Sequence, residues 1–158
     1  MSSVETISNS PGQTQRLGRR LGALAEAGDV FLLSGELGSG KTCLVQGIAW
    51  GLGVEEYATS PSFVLVRPYE GRLPLYHIDF YRLDDIAEIA DLGLEEYLWG
   101  DGVCAVEWAE KALALLPEEH LLIRLEHVAT GKRRLLLEPR GNRYIELLSS
   151  FSRRPKRA

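Results

Sequence analysis

Gly35-Glu-Leu-Gly-Ser-Gly-Lys-Thr42 is the stretch on which the fold of this chain turns. It satisfies every position of the pattern G-x-x-x-x-G-K-[ST]. With ordinary glycine, lysine and Ser/Thr usage, chance yields such a pattern in on the order of half a percent of chains this long. Its flanks narrow the reading. Val30-Phe-Leu-Leu33 is a continuous apolar run, the mark of a strand covered on both faces. From Lys41 onward Leu44, Val45, Ile48 and Leu52 trace one helix face, and Gly53 supplies a left-handed stop. Strand, glycine loop and helix in that order predict an α/β domain built around a phosphate-binding loop.

The residue types in that loop each have a chemical reason. Gly38 and Gly40, with Ser39 between them, let the backbone curl so that its N–H groups point inward, a nest for a β-phosphate at the positive end of the following helix. Lys41 reaches the β- and γ-phosphates as a compact cation, and the Thr42 hydroxyl is placed to ligate magnesium. The expected cofactors are therefore ATP or ADP with Mg2+.

A phosphate loop of this kind needs an acidic group for the metal, usually at the end of a neighbouring strand. Two segments compete. Val103-Cys-Ala-Val106-Glu107 is an apolar run closed by an acid and fits a buried parallel strand. Leu75-Tyr-His-Ile-Asp79 alternates, which predicts a half-exposed hairpin strand paired with Phe63–Tyr69 across the turn at Glu70-Gly71. Glu107 is assigned to magnesium and to catalysis. Asp79 is assigned to the reaction, orienting the attacking water or holding a metal-bound one. The alternative for Asp79 is an ion pair with Arg82. His77 shares the face of Asp79 but reads as structural.

Elsewhere the pattern is plainer. Ser10-Pro11-Gly12-Gln13 forms a capping box ahead of a helix to about Ala27. Asp84 can cap a short helix bearing Ile86 and Ile89, broken at Gly93. Two late strands, Leu121–Leu125 and Leu135–Leu137, meet at the Thr130-Gly131 turn before a last helix around Ile145–Leu148. The fold expected is a three-layer, P-loop NTPase-like mixed sheet with helices on both faces, one domain over 1–150 followed by a basic, disordered tail over 151–158.

Bulk properties exclude other classes. The net charge of −4 disfavours direct nucleic-acid binding, which draws its affinity from Lys and Arg, so any tRNA contact is indirect or weak. No apolar run approaches the ~20 residues of a membrane span. The N-terminus lacks the basic-then-apolar layout of a secretory signal, which predicts a cytoplasmic chain. Cys43 and Cys104 form no metal-type cluster and read as small core residues.

Taken together, Gly35–Thr42, Thr59-Ser-Pro-Ser-Phe63, His77-Ile-Asp-Phe-Tyr-Arg-Leu83 and Val106-Glu-Trp-Ala-Glu110 resemble, in order and spacing, the TsaE (YjeE) family, over roughly Thr6 to Leu137. The departures are mild: Glu36 where Asp is common, Ser62 for Thr, and Val64 after the Phe. The resemblance implies a P-loop ATPase that acts with two partners, TsaB and TsaD, in making threonylcarbamoyladenosine in tRNAs that read ANN codons, the modification chemistry belonging to TsaD. It implies magnesium at Thr42 and Glu107, a catalytic Asp79, a switch at Thr59–Phe63, a role for Trp108, and adenine between Pro11 and the Gly131-Lys132 turn. Other classes stay open at this point. A small-molecule or protein kinase would draw on Arg67, Arg72 and Arg82 as a lid. A nucleotide-gated binding module would have negligible turnover of its own. A GTPase would need an Asn-Lys-x-Asp base reader, which does not occur.

Overall fold

The computed structural model describes residues 3–36, 38–56, 66–83 and 85–153. The apolar run ahead of the glycine loop is strand β2 (Val30–Ser34), whose side chains alternate between two cores. Phe31 and Leu33 join one, Val30 and Leu32 the other, all 2% exposed or less. Such a strand requires neighbours on both edges. Among the described residues β1 (Val4–Ser8), β3 (Val66–Tyr69), β4 (Leu75–Asp79), β5 (Val103–Glu107), β6 (His120–Ala129) and β7 (Lys132–Arg140) complete one sheet, ordered β1-β7-β6-β2-β5-β4-β3. Strands β6, β2, β5 and β4 run parallel, and β1, β7 and β3 pair antiparallel.

Helices cover both faces, as expected. On one side α1 (Pro11–Leu24), α2 (Lys41–Gly51) and α5 (Asn142–Ser152) contribute Leu21, Leu44, Ile48, Leu147 and Phe151 to the core with Phe31 and Leu33. On the other, α3 (Ile86–Ala90), α4 (Glu95–Leu98) and a 3₁₀ segment, Ala109–Leu115, cover Leu32, Ile78 and Val106. No helix among the described residues is long and apolar enough to cross a membrane.

Several boundaries differ from expectation for identifiable reasons. Strand β4 is not half-exposed: Leu75, His77 and Ile78 are all fully buried, because β5 pairs along its other edge and helices close over both faces. Helix α1 stops at Leu24, with Ala25 extended, rather than at Ala27. Its cap is half a capping box: Ser10 Oγ accepts from Gln13 N at 3.1 Å, while Gln13 Oε1 accepts from Asn9 N at 2.7 Å instead of from Ser10. Asp84 lies outside the described residues, and the cap of α3 is Asp85, whose Oδ1 accepts from Ala87 N at 2.9 Å. Helix α5 runs on to Ser152 and buries Phe151, past the boundary drawn at 150; tail residues 154–158 lie outside the described set.

Burial fixes the state of one cysteine. Cys104 on β5 has its thiol pushed up to about 12 by desolvation, and its Sγ donates to Tyr97 O at 3.1 Å. Thiolate is the reactive form, so Cys104 should resist iodoacetamide in the folded protein and label fully in denaturant. Intact-mass spectrometry before and after unfolding reads this out; labelling of Cys104 at the native rate of an exposed thiol would contradict it.

Candidate active site

The glycine loop adopts the backbone its sequence requires. Gly35, Gly38 and Gly40 have φ of 152°, 80° and 102°, conformations that a Cβ strains. At Gly38 a Cβ would meet no atom of the described residues within 4 Å, so this glycine answers to its backbone angles rather than to packing. Gly40 is the N-cap of α2 and offers no side-chain cap, which leaves the first-turn amides of the helix without a protein acceptor at the cap. Ser39 is 2% exposed, and its Oγ has no partner among the described residues. Uncapped amides at a helix start form an anion site.

Strand pairing delivers the acids. The parallel register sets Asp79 beside Glu107 and Glu107 beside Leu33, so both carboxylates leave the sheet where the loop begins. Glu107 is 3% exposed, and a buried charge needs partners. It has two. The Thr42 hydroxyl lies 3.3 Å from each of its oxygens, and His77 Nε2 lies 2.5 Å from Oε2. Asp79 is half-buried, and its Oδ1 accepts from Tyr81 N at 2.9 Å. Burial raises its carboxyl above the ordinary range, and the Tyr81 amide offsets part of that.

Lys41 is 5% exposed. Its ammonium donates to the carbonyls of Gly35 and Glu36 and sits 4.0 Å above the Trp108 ring. Desolvation lowers its pKa, against the pull of Glu107, Glu110 and Asp79. Trp108, with φ 58°, is the single non-glycine residue at positive φ among the described residues. That left-handed turn directly after Glu107 aims the indole at Lys41 and against Tyr81, ring centroids 5.2 Å apart. Non-glycine residues held in this conformation cluster at functional sites.

The outer wall is the start of α1 and the β6–β7 hairpin. Gly131 lies close enough to Asn9 that its Cβ would be 3.5 Å from the Asn9 carbonyl, so the turn bearing Lys132 meets the segment leading to Pro11. The hairpin does fold toward the loop: Arg133 Nε donates to Ser39 O and Nη2 to Gly38 O, both at 3.1 Å.

The structure thus brings Gly38, Ser39, Gly40, Lys41, Thr42, Asp79 and Glu107 to one edge of the sheet, with Pro11 and Lys132 beyond. The Thr59–Phe63 segment lies outside the described residues. Of the three arginines a kinase lid would use, Arg72 is held away from the loop: its Nη2 donates to Gly22 O and Ala25 O at 3.0 Å, at the C-terminal end of α1. Sequence reasoning set His77 aside as structural and gave no role to Glu110 or Arg133. For His77 a signal existed, since it shares a strand face with Asp79. Glu110, whose Oε2 accepts from Ser34 Oγ at 3.0 Å, closes the Val106–Glu110 motif but received no role from it, and Arg133 carried no signal.

Among the described residues no three His, Cys, Asp or Glu side chains could cage a metal by themselves. One hydroxyl and one carboxylate fit Mg2+ instead, which keeps waters and takes phosphate oxygens for its remaining positions.

Comparison with known proteins identifies the family. The family described as threonylcarbamoyl adenosine biosynthesis protein TsaE matches residues 8–135. A tRNA threonylcarbamoyladenosine biosynthesis protein TsaE from Treponema pallidum is 45% identical over 132 residues, covering 84% of this chain and 98% of that one. The protein of the same name from Bacillus subtilis is 42% identical over 145 residues, covering 91% and 90%. The crystal structure of Bacillus subtilis YdiB superposes with a TM-score of 0.82 at 37% identity, over 96% of this chain and 95% of that one. Glycine loop, paired carboxylates and near full-length similarity converge, and this chain belongs to the TsaE family.

Proposed function

We propose that the chain binds and hydrolyses ATP with magnesium, as the ATPase subunit of the system that forms threonylcarbamoyladenosine in ANN-decoding tRNAs. The observation that carries this reading is the meeting of Thr42, Glu107 and Asp79 at the mouth of the glycine loop. The amides of Gly38 to Thr42 and the Lys41 ammonium would hold the phosphates. Lys41 would exchange its contacts to Gly35 O and Glu36 O for phosphate oxygens. Thr42 and Glu107 would hold magnesium, which when bound neutralises charge on the β- and γ-phosphate oxygens. Asp79, beside them and half-buried, would orient the attacking water.

Turnover of the isolated chain is expected to be slow. Arg133 reaches the loop, and its nitrogens are engaged by the carbonyls of Gly38, Ser39, Ala129 and Lys132. Catalysis then waits for a partner, by family resemblance TsaB and TsaD, with tRNA contact indirect or weak.

Titration of the purified chain with ATP, ADP and GTP, with and without TsaB and TsaD, tests this. Magnesium-dependent adenine-nucleotide binding that is lost in Lys41→Ala, with hydrolysis stimulated by the two partners, is the expected result. Equal binding by Lys41→Ala, or fast unaided turnover, would overturn the reading.

A further inference from the structure

A nest that turns its amides inward must turn intervening carbonyls outward, and those carbonyls need donors of their own. On β7, Arg133 pairs across to Ser8 and His127 and lies on the same strand face as Leu135 and Leu137, which point to the α1–α2 side where the glycine loop sits. Its guanidinium spans the outward face of the loop. Nε and Nη2 each donate at 3.1 Å, to Ser39 O and Gly38 O. Nη1 donates to Ala129 O at 3.3 Å and Lys132 O at 3.1 Å, the two residues that close the β6–β7 turn. One planar group therefore ties the phosphate loop to the hairpin wall. A rigid fork of donors suits this span of four carbonyls, whereas the three donors of a lysine all leave one nitrogen.

Its charge is as informative as its geometry. Neighbouring Arg134 is neutralised by Glu5 at 3.0 Å and Glu126 at 3.3 Å. Arg133 meets carbonyls alone, with no carboxylate paired to it among the described residues. In a chain of net charge −4, an uncompensated cation is thereby set against the phosphate loop.

We propose that Arg133 is a positioning residue for nucleotide binding: it locks the Gly38 and Ser39 peptides with their amides facing the phosphates and couples that lock to the Lys132 turn. The inference rests on the proposed nucleotide site. ADP binding by the full chain, measured calorimetrically, tests it with Arg133→Ala, Arg133→Lys and, as a control, Arg134→Ala. Loss of two charge-assisted hydrogen bonds should weaken ADP about tenfold in Arg133→Ala. Arg133→Lys should recover part of that loss, and Arg134→Ala should match the wild type. For ATP turnover with partners, KM should rise while kcat stays within about threefold, because the chemistry of Asp79 is untouched. Amide exchange over 38–42 should quicken in Arg133→Ala. Wild-type ADP affinity in folded Arg133→Ala, or in Arg133→Lys should the alanine variant not fold, would overturn the proposal while leaving the nucleotide site standing. Absence of ADP binding by the wild type would instead sink the site.

Discussion

Asp79→Ala is expected to bind ATP within about threefold of the wild type and to lose roughly a hundredfold or more of its partner-stimulated turnover, the usual scale for removing a proton-handling or water-orienting group. The separation follows from position. Asp79 stands at the end of β4, one register step across from Glu107, and accepts from the Tyr81 amide. Among the described residues its hydrogen bond is to the Tyr81 amide, while the Thr42 hydroxyl faces Glu107. Its burial raises the carboxyl and lowers the cost of losing the charge, so the fold should tolerate alanine. Nucleotide affinity by titration and turnover by phosphate release, on the same preparations with TsaB and TsaD, read the two quantities separately. Normal turnover in Asp79→Ala would remove it from the chemistry. Equal loss of binding would make it part of the magnesium grip instead.

The sheet and the candidate site are legible in the sequence to the extent that local patterns carry them. The glycine loop identifies itself because phosphate binding demands a fixed backbone, and Glu107 follows from an apolar run closed by an acid. Strand β1 was not legible. Val4 to Ser8 is short and places exposed Glu5 and Ile7 opposite half-buried Val4 and Thr6, so its pairing with β7, not its composition, makes it a strand. Strand β4 departs from expectation for a related reason: its alternation signals exposure, whereas His77 is a polar residue made tolerable inside by the Glu107 carboxylate. Arg133 shows the limit most clearly. Its role depends on which carbonyls another segment turns outward, and no spacing within the chain encodes that. Gly18, Gly22, Gly47 and Gly51 read locally as weak points in two helices. In the fold they are the reason the helices can touch.

Gly47→Ala should therefore destabilise the protein severely although it lies outside the phosphate loop. A Cβ at Gly47 would stand 2.0 Å from Gln15 O and 3.0 Å from Arg19 N, and one at Gly51 would stand 2.2 Å from Arg19 O. The facing glycines mirror this: Gly18 would meet Leu44 O at 2.3 Å and Gly22 would meet Ile48 O at 2.2 Å. All are backbone atoms within helices, which cannot rotate aside as a side chain would, so α1 and α2 must separate. Separation opens the seam lined by Leu21, Leu44 and Ile48. Overpacking of this kind costs roughly 3 kcal/mol, and at this chain length that lowers Tm by about 6–12 °C. Gly12→Ala supplies the contrast in the same helix pair: its Cβ would meet only Ser10 Oγ at 3.8 Å, and the gain in helix propensity should leave stability equal or raised by about 0.4–1 kcal/mol. Thermal unfolding of the two variants beside the wild type settles it. A Gly47→Ala protein melting within a degree of the wild type would mean that the helices are not held at backbone contact. Because α2 begins at Lys41, the same separation should also loosen nucleotide binding in whatever fraction stays folded.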